Sequence, residues 1–297
     1  MKKWCLFLSL YFCACLLAAC AGGGASPGEG AEPGGISSEE PQTGEETTES
    51  GQVTETFRLV DAGDGGRSAV LAKMDGRAGD VYTLDIFSVE DLTIEGYTQE
   101  QMALLDWSPT PGALVEVTWD GTVMESYPAQ FGEVAAVRIL EDGFNDLCRL
   151  YREVLNDLWE TDPALNEDIT ELGVDLSKTS LEASEQSAVA YAFGMDHGLM
   201  PIEGTYQELV DQGYIDGENL FWEDGCLFSI KETQDQDPVA FSLPCVGPGD
   251  EIPDYNGVRF DAEKWRGGTG AYSFTNCTAA SLDGHWSVYT VGAEAIS

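Results

Sequence analysis

Basic residues are scarce in this chain: 14 Lys plus Arg stand against 53 Asp plus Glu over 297 residues, a formal charge of −39. That balance excludes partners with a polyanionic backbone, because nucleic-acid affinity comes mostly from Lys and Arg neutralising phosphates. Neither DNA nor RNA is an expected partner. Histidine is scarcer still. His197 falls in the last turn of a predicted helix, where a cation suits the dipole, and His285 opens a predicted strand, so both read as structural. Four cysteines follow Cys20, namely Cys148, Cys226, Cys245 and Cys277, and no Cys-x-x-Cys occurs among them. The usual spacing of a zinc site is therefore missing, and no metal site is expected. What the chain does have is apolar content, at 43%, too much for a disordered acidic polymer and enough for sizeable cores.

The first 20 residues carry the clearest signal. Lys2 and Lys3 precede an apolar run of 16 residues, Trp4 to Ala19, shorter than the about 20 needed for a helix to cross a bilayer. This pattern is a signal peptide, residues 1–19. It ends in Leu17, Ala18, Ala19 and Cys20, a tetrad that resembles the lipobox of bacterial lipoproteins. The resemblance implies that the Cys20 thiol takes a diacylglyceryl group and becomes the mature N-terminus, anchoring the protein on the extracytoplasmic face of a membrane.

Residues 20–53 read as an acidic tether of Gly, Pro, Ser, Thr and Glu. Such a composition buries too little apolar area to offset its ordering entropy, and its charge repels itself. Gly24, Ser26 and Gly28 match the Gly-x-Ser-x-Gly pattern of a hydrolase elbow. Neither a strand before it nor a helix after it is foreseeable, so the match carries no function.

From 54 to 141, short apolar or alternating runs at 57–60, 68–73, 81–87, 113–119, 122–126 and 133–140 read as strands, with one helical insertion at 98–105. Five or six short strands suggest a small barrel of the OB type. Pro111, Gly112, Val115, Val117, Gly121 and the run Glu125 to Gln130 resemble an OB-like domain of unassigned function common in Gram-positive lipoproteins. Trp107, Trp119 and Tyr127 are the aromatics in this region that could stack on sugars, but core or rim positions are the expected reading for them.

From 142 to 297 the pattern begins with helices. Phe144, Leu147, Cys148, Tyr151, Val154, Leu155, Leu158 and Trp159 share one broad face, with Asp142 as cap and Pro163 as the limit. A second helix is expected over 182–197, ended by Gly198. A short third opens on the capping box of Thr205 and Glu208 and closes at Gly213. Strands follow at 220–221, 226–231, 239–246, 257–262, 271–279 and 285–292. The expected fold class is α+β overall, an OB-like barrel followed by an α+β domain whose long helix packs on an antiparallel sheet, in the manner of cystatin or nuclear-transport-factor-2 folds. The second region is similar to a recurring segment of clostridial lipoproteins through Gly213 to Ile215, Trp222 to Gly225, Lys264 to Arg266, Cys277 to Ala279 and the final Gly292 to Ser297. Neither resemblance implies an activity.

Among the many carboxylates, Glu223 beside Trp222 and Glu263 near Trp265 are the weak catalytic candidates, since a glycosidase needs an acid paired with a second carboxylate. Glu232 with Asp235 and Asp237, or Asp250 and Glu251 with Asp254, offers oxygens to Ca²⁺, but neither group follows the EF-hand pattern, and no cofactor is expected. If 226–231 and 239–246 form a hairpin turning between Asp235 and Gln236, Cys226 and Cys245 face each other at disulfide range. Three function classes remain open: a tethered non-enzymatic module that binds a protein or a wall polysaccharide, a carbohydrate-active hydrolase, and an accessory subunit of an envelope transport system. Cys20→Ser is expected to move the protein from the membrane fraction to the medium and to abolish incorporation of a lipid label; retention of both would overturn the anchor.

Overall fold

Alternation of apolar and polar residues starts at Val53 and builds a first sheet. Residues 51–297 of this computed structural model are described, except 103, 105, 106 and 234–254, and they lie within one compact unit, Glu45–Ser297. The first sheet contains β1 (Val53–Asp61), β2 (Ala69–Lys73), β3 (Val81–Leu84), β4 (Asp91–Ile94), β5 (Leu114–Trp119), β6 (Val123–Met124), β7 (Ala129–Phe131) and β8 (Val134–Leu140). Two four-residue helical turns, α1 (Gly63–Gly66) and α2 (Gln99–Met102), interrupt them. The strand order is β4-β8-β5-β1-β2-β3-β7-β6. Phe131 ends β7 and Val134 starts β8, yet these strands sit near opposite ends of that order. A chain that covers the distance in so few residues requires the sheet to curl back towards itself. The curl encloses a core of Phe57, Leu59, Leu71, Ile86, Val115, Val117, Trp119, Phe131 and Val137.

The second sheet follows α3 (Leu147–Glu160). It comprises β9 (Glu171–Lys178), β10 (Pro201–Glu203), β11 (Gly225–Glu232), β12 (Tyr255–Gly267), β13 (Gly270–Leu282), β14 (His285–Trp286) and β15 (Ala293–Ile296), with α4 (Ala183–Asp196) and α5 (Tyr206–Asp211) between strands. The order is β10-β9-β11-β12-β13-β14, and β15 pairs with β13. Strand β9 runs parallel to both β10 and β11, whereas β12 to β15 are antiparallel to their neighbours.

This architecture corrects the expected α+β class. The protein is mostly β, with 42% strand against 22% helix, arranged as an eight-stranded sheet and a curled seven-stranded one. Among the described residues no long helix lies on an antiparallel sheet. Instead α3 stops at Glu160 after 14 residues, α4 has the same length, and the second sheet is mixed because β9 enters it in parallel. One core joins Leu150, Tyr151, Val154, Leu155 and Leu158 of α3, and Val189 and Phe193 of α4, to Phe228, Phe260 and Cys277 of the second sheet and to Val60, Val70, Ala72 and Val81 of the first. The two helices therefore serve both sheets. Helix α4 buries Ser184, Glu185 and Ser187 along with its apolar residues, as befits a helix covered on several sides. At the start of α3 the cap position is held by Asp146 rather than Asp142.

Two basic side chains are fully or almost fully buried, and each ties elements together. Lys264 on β12 is 0% exposed. Its Nζ donates to the Asn166 Oδ1 at 2.7 Å, to the Asp162 carbonyl at 3.1 Å, and to the carbonyls of Thr161 and Trp159. The ammonium thus caps the C-terminal end of α3, where the helix dipole favours a cation and the last carbonyls need donors. Desolvation nevertheless holds its pKa below the ordinary lysine value.

Arg58 on β1 does the corresponding work for α4. Its Nε meets Glu185 Oε1 at 3.3 Å, and its Nη1 donates to the carbonyls of Gly112 at 2.8 Å and Gly143 at 2.6 Å. The other oxygen of Glu185 accepts the backbone N–H of Glu182 at 3.0 Å, closing the first turn of the helix. Around this pair Ser184 Oγ donates to the Lys73 carbonyl at 2.6 Å, Asp75 N–H donates to Glu182 Oε2 at 2.8 Å, and Gly79 N–H to Ser187 Oγ at 3.0 Å. The start of α4 is fixed to the β2–β3 turn by these bonds.

The hairpin proposed between 226–231 and 239–246 is also corrected. Both edges of β11 are occupied: Cys226 stands opposite Leu172 of β9, and Leu227 opposite Trp265 of β12. Residues 239–246, and Cys245 with them, lie outside the described residues. Glu185→Gln keeps the acceptor for Glu182 but leaves the Arg58 charge without its counter-ion, so it is expected to lower stability by about 3–5 kcal/mol in urea unfolding. Arg58→Met combined with Glu185→Gln should cost less than the sum of the two single changes; strict additivity would mean the pair does not couple the sheets.

Candidate functional site

Trp222 organises a pocket that contains one sequence candidate, Glu223. Its ring is 1% exposed and lies over Gly173 of β9 and Gly225 of β11; a Cβ on either glycine would sit 2.7 Å or 2.1 Å from the indole. Two glycines are therefore required where one large ring lies flat on a sheet. The parallel register sets Gly225 opposite Glu171, and Trp222 Nε1 donates to Glu171 Oε2 at 2.7 Å. The ring, with Leu209, Ile215 and Leu227, forms a small satellite core beneath α5.

The chain between α5 and Trp222 is a closed loop. Asp216 and Phe221 exchange both backbone bonds, at 3.0 Å and 3.2 Å. Within the loop, Asp216 Oδ1 accepts the N–H groups of Glu218 and Asn219, and its Oδ2 accepts the Asn219 amide. These bonds hold the Asp216 carboxyl below the usual carboxylate range, the Asn219 contacts being the main cause. The loop is tied to the β12–β13 turn, with Gly268 N–H donating to the Leu220 carbonyl at 2.8 Å and Trp222 N–H to the Arg266 carbonyl at 2.9 Å. Arg266 in turn directs its guanidinium to the carbonyls of Leu165, Glu167 and Glu223.

The result is an open pocket of about 570 Å³ lined by Tyr214, Phe221 and Trp222, by Gln212, and by the acidic residues Glu171, Asp216, Glu223 and Asp224. Phe221 is 46% exposed and Tyr214 36%, so two ring faces remain available to a ligand. None of the described lining residues is Lys, Arg or His. Large apolar rings beside oriented polar groups make a surface suited to a sugar face or an organic cation.

Of the sequence candidates, Glu223 lines this pocket. Glu263 does not. It sits on β12 opposite Ser229 and Ser273, where Ser273 Oγ approaches it at 3.4 Å and desolvation raises its carboxyl. The two glutamates thus form no pair in one pocket. Glu171 escaped the sequence reading because it is separated from Trp222 by 51 residues. Its signal would have been a parallel strand at 171–178.

The aromatics of the first region are not gathered on one face. Trp119 belongs to the core against Phe57 and Phe131, Trp107 packs against Phe87, and Tyr127 docks on the second region, its ring against Tyr191 and its hydroxyl 3.3 Å from Glu203. Glu232 Oε1 accepts from Tyr151 OH and from Ser180 N–H and Oγ, while Asp235, Asp237, Asp250, Glu251 and Asp254 lie outside the described residues. Among the described residues no group of three or more His, Cys, Asp or Glu is arranged to hold a metal ion. His197 stacks on Trp159 at 3.8 Å and His285 on Phe144 at 4.1 Å. Residues 1–50, including Leu17, Ala18, Ala19 and Cys20, are outside the described part.

Comparison with protein-family models, with curated proteins and with solved structures finds no match for the chain.

Cys148, Cys226 and Cys277 are free and buried. Cys226 Sγ contacts the Trp265 carbonyl at 3.3 Å. Burial pushes the thiols of Cys226 and Cys277 up to about 12, and that of Cys148 well above its ordinary value. Since the thiolate is the reactive form, all three are expected to resist iodoacetamide in the native protein at pH 8 and to react once it is unfolded in guanidinium. Fast native labelling at any of them, read by peptide mapping, would contradict this burial.

Proposed function

We propose that the chain is a lipid-anchored, extracytoplasmic binding protein whose Trp222 pocket takes a glycan of the cell wall, without catalysing its cleavage. The observation that carries this reading is the pocket itself, in which exposed ring faces of Tyr214 and Phe221 stand beside carboxylates on a rigid, internally bonded loop. Sugar rings present C–H faces to aromatic side chains and hydroxyl donors to carboxylates, and both halves of that recognition are represented. The lipobox-like tetrad and the acidic segment after it support the location, since a tethered domain on the outer face of a membrane meets wall polymer first.

A hydrolytic role finds less support. A general acid needs a raised carboxyl within reach of the same bond as its partner. Glu263, which desolvation raises, lies outside the pocket, and Asp216, which lies inside it, is lowered and saturated by its own loop. Glu171 gives one oxygen to the Trp222 indole.

The test is calorimetric titration of the full chain in detergent micelles with an N-acetylglucosamine tetramer, together with product analysis. Saturable binding is expected, weakened about tenfold by Tyr214→Ala with Phe221→Ala, consistent with losing two stacked rings, and no cleavage should occur. Absence of binding, or binding indifferent to these substitutions, would overturn the glycan assignment; shortening of the tetramer would overturn the non-enzymatic one.

A further inference from the structure

We propose that Lys264 and Asn166 become joined by an amide bond between their side chains, the side-chain nitrogen of Asn166 leaving as ammonium. The bond belongs to the fold itself and does not depend on what the Trp222 pocket takes.

The two groups meet where neither can withdraw. Lys264 on β12 is 0% exposed and Asn166 8%, and Nζ stands 2.7 Å from Oδ1. The carbon that an amine attacks lies one C=O bond, about 1.2 Å, beyond that oxygen. Nucleophile and electrophile are therefore less than about 4 Å apart, and holding reactants in this way is equivalent to effective concentrations of about 10⁵ M or more. Asn166 is also fixed from both sides. It ends the 3₁₀ turn Pro163–Asn166, and Arg266, two residues beyond Lys264 on the same strand, donates to the carbonyls of Leu165 and Glu167 that flank it.

The lysine is set apart by its partners. The buried Arg58 is answered by a carboxylate, that of Glu185, whereas Lys264 meets only the Asn166 amide oxygen and the carbonyls of Trp159, Thr161 and Asp162, with the Phe228 ring 5.9 Å from Nζ. A buried lysine without a counter-ion gives up its proton more readily, because burial disfavours the charged form. Desolvation is indeed the main influence on this one. The neutral amine is the nucleophile.

Atoms and charge balance without an oxidant or co-reactant. The ammonium loses a proton, the lone pair so freed attacks Cγ, and the Cγ–Nδ2 bond breaks. One hydrogen of Lys264 stays on the new secondary amide, and the other two leave with Nδ2 and its own pair as ammonium. The titratable groups in electrostatic range of Nζ are the buried Cys226 thiol and the carboxylates of Asp162 and Glu160. Asp162 is half-buried and Glu160 exposed, so they connect the site to solvent for the proton transfers. Cys148, Cys226 and Cys277 are free, and the amide supplies the covalent closure that they do not, joining positions 98 residues apart.

The test is peptide mapping by mass spectrometry of the full chain, purified folded in detergent micelles, then unfolded and digested with trypsin. The expected product joins residues 153–178 to residues 260–266, is lighter than the two peptides together by one ammonia, and is uncleaved after Lys264. It should be absent from Lys264→Met and from Asn166→Ala, which keeps the lysine and its main-chain partners. Separate wild-type peptides, cleaved after Lys264 and with Asn166 intact, would overturn the proposal and leave Lys264 as a helix cap alone. A linked species that persists in Asn166→Ala would overturn it as well, by assigning the bond to another residue. If Lys264→Met does not fold, the wild-type map and Asn166→Ala decide between these outcomes.

Discussion

The Arg58–Glu185 pair is the contact on which the two halves of the molecule depend. Arg58 comes from the first strand of the first sheet, Glu185 from the first turn of the helix that packs on the second, and both side chains are at most 10% exposed. A buried ion pair is seldom a net source of stability, because desolvation offsets its Coulomb term. Its value lies in what it forbids. With Arg58 bonded to the carbonyls of Gly112 and Gly143 and to Glu185, sliding α4 along the first sheet would strand a charge in the core. The apolar contacts of Val60, Val70, Ala72 and Val81 with the helix layer provide non-directional attraction, and the ion pair selects one alignment of those surfaces.

Lys264 plays the complementary part inside the second sheet. A cation bonded to three carbonyls and one side-chain amide is tolerated there because the end of a helix presents a cluster of carbonyls that need donors. Residues 264–266 are consequently a small organising centre. Lys264 holds the end of α3, Trp265 packs against Tyr206 of α5, and Arg266 holds the segment at 165–167 together with the Glu223 carbonyl. The pocket owes its position to this strand as much as to the residues that line it.

Periodicity made the local elements legible and left the global arrangement hidden. The helical face from Leu147 to Leu158 is visible because apolar residues recur at three and four, the helix ending near Gly198 is marked by its glycine stop, and the alternation at 113–119 marks β5 as clearly. Strand β9 carries the same alternation, Leu172, Val174 and Leu176 against Glu171, Gly173, Asp175 and Ser177, but it lies between two helices and goes unread there; its Gly173 is present because Trp222, almost fifty residues later, needs the space. Without β9 the second sheet reads as wholly antiparallel, the edge of β11 looks free for a hairpin with 239–246, and α3 seems to be the element that covers it. The same omission concealed Glu171, whereas Glu223 could be named because it adjoins its tryptophan. Pairwise proximity in sequence found half of the site; the other half depends on a parallel register that no short window contains.

The charge of the chain bears on the site less directly than its size suggests. A surplus of acids repels polyanions at any distance that salt does not screen, but at physiological ionic strength screening acts over about 8 Å. Four of the 53 acidic residues line the Trp222 pocket. The remaining ones raise the local concentration of every cation alike, inorganic ions included, and so supply attraction without choice. Choice requires carboxylates held against the ligand on backbone that does not yield, next to ring faces that reject a fully hydrated ion. The glycines beneath Trp222 and the bonded loop from Asp216 to Phe221 give the pocket backbone of that kind, whereas the net charge of the chain supplies only a background common to every cation.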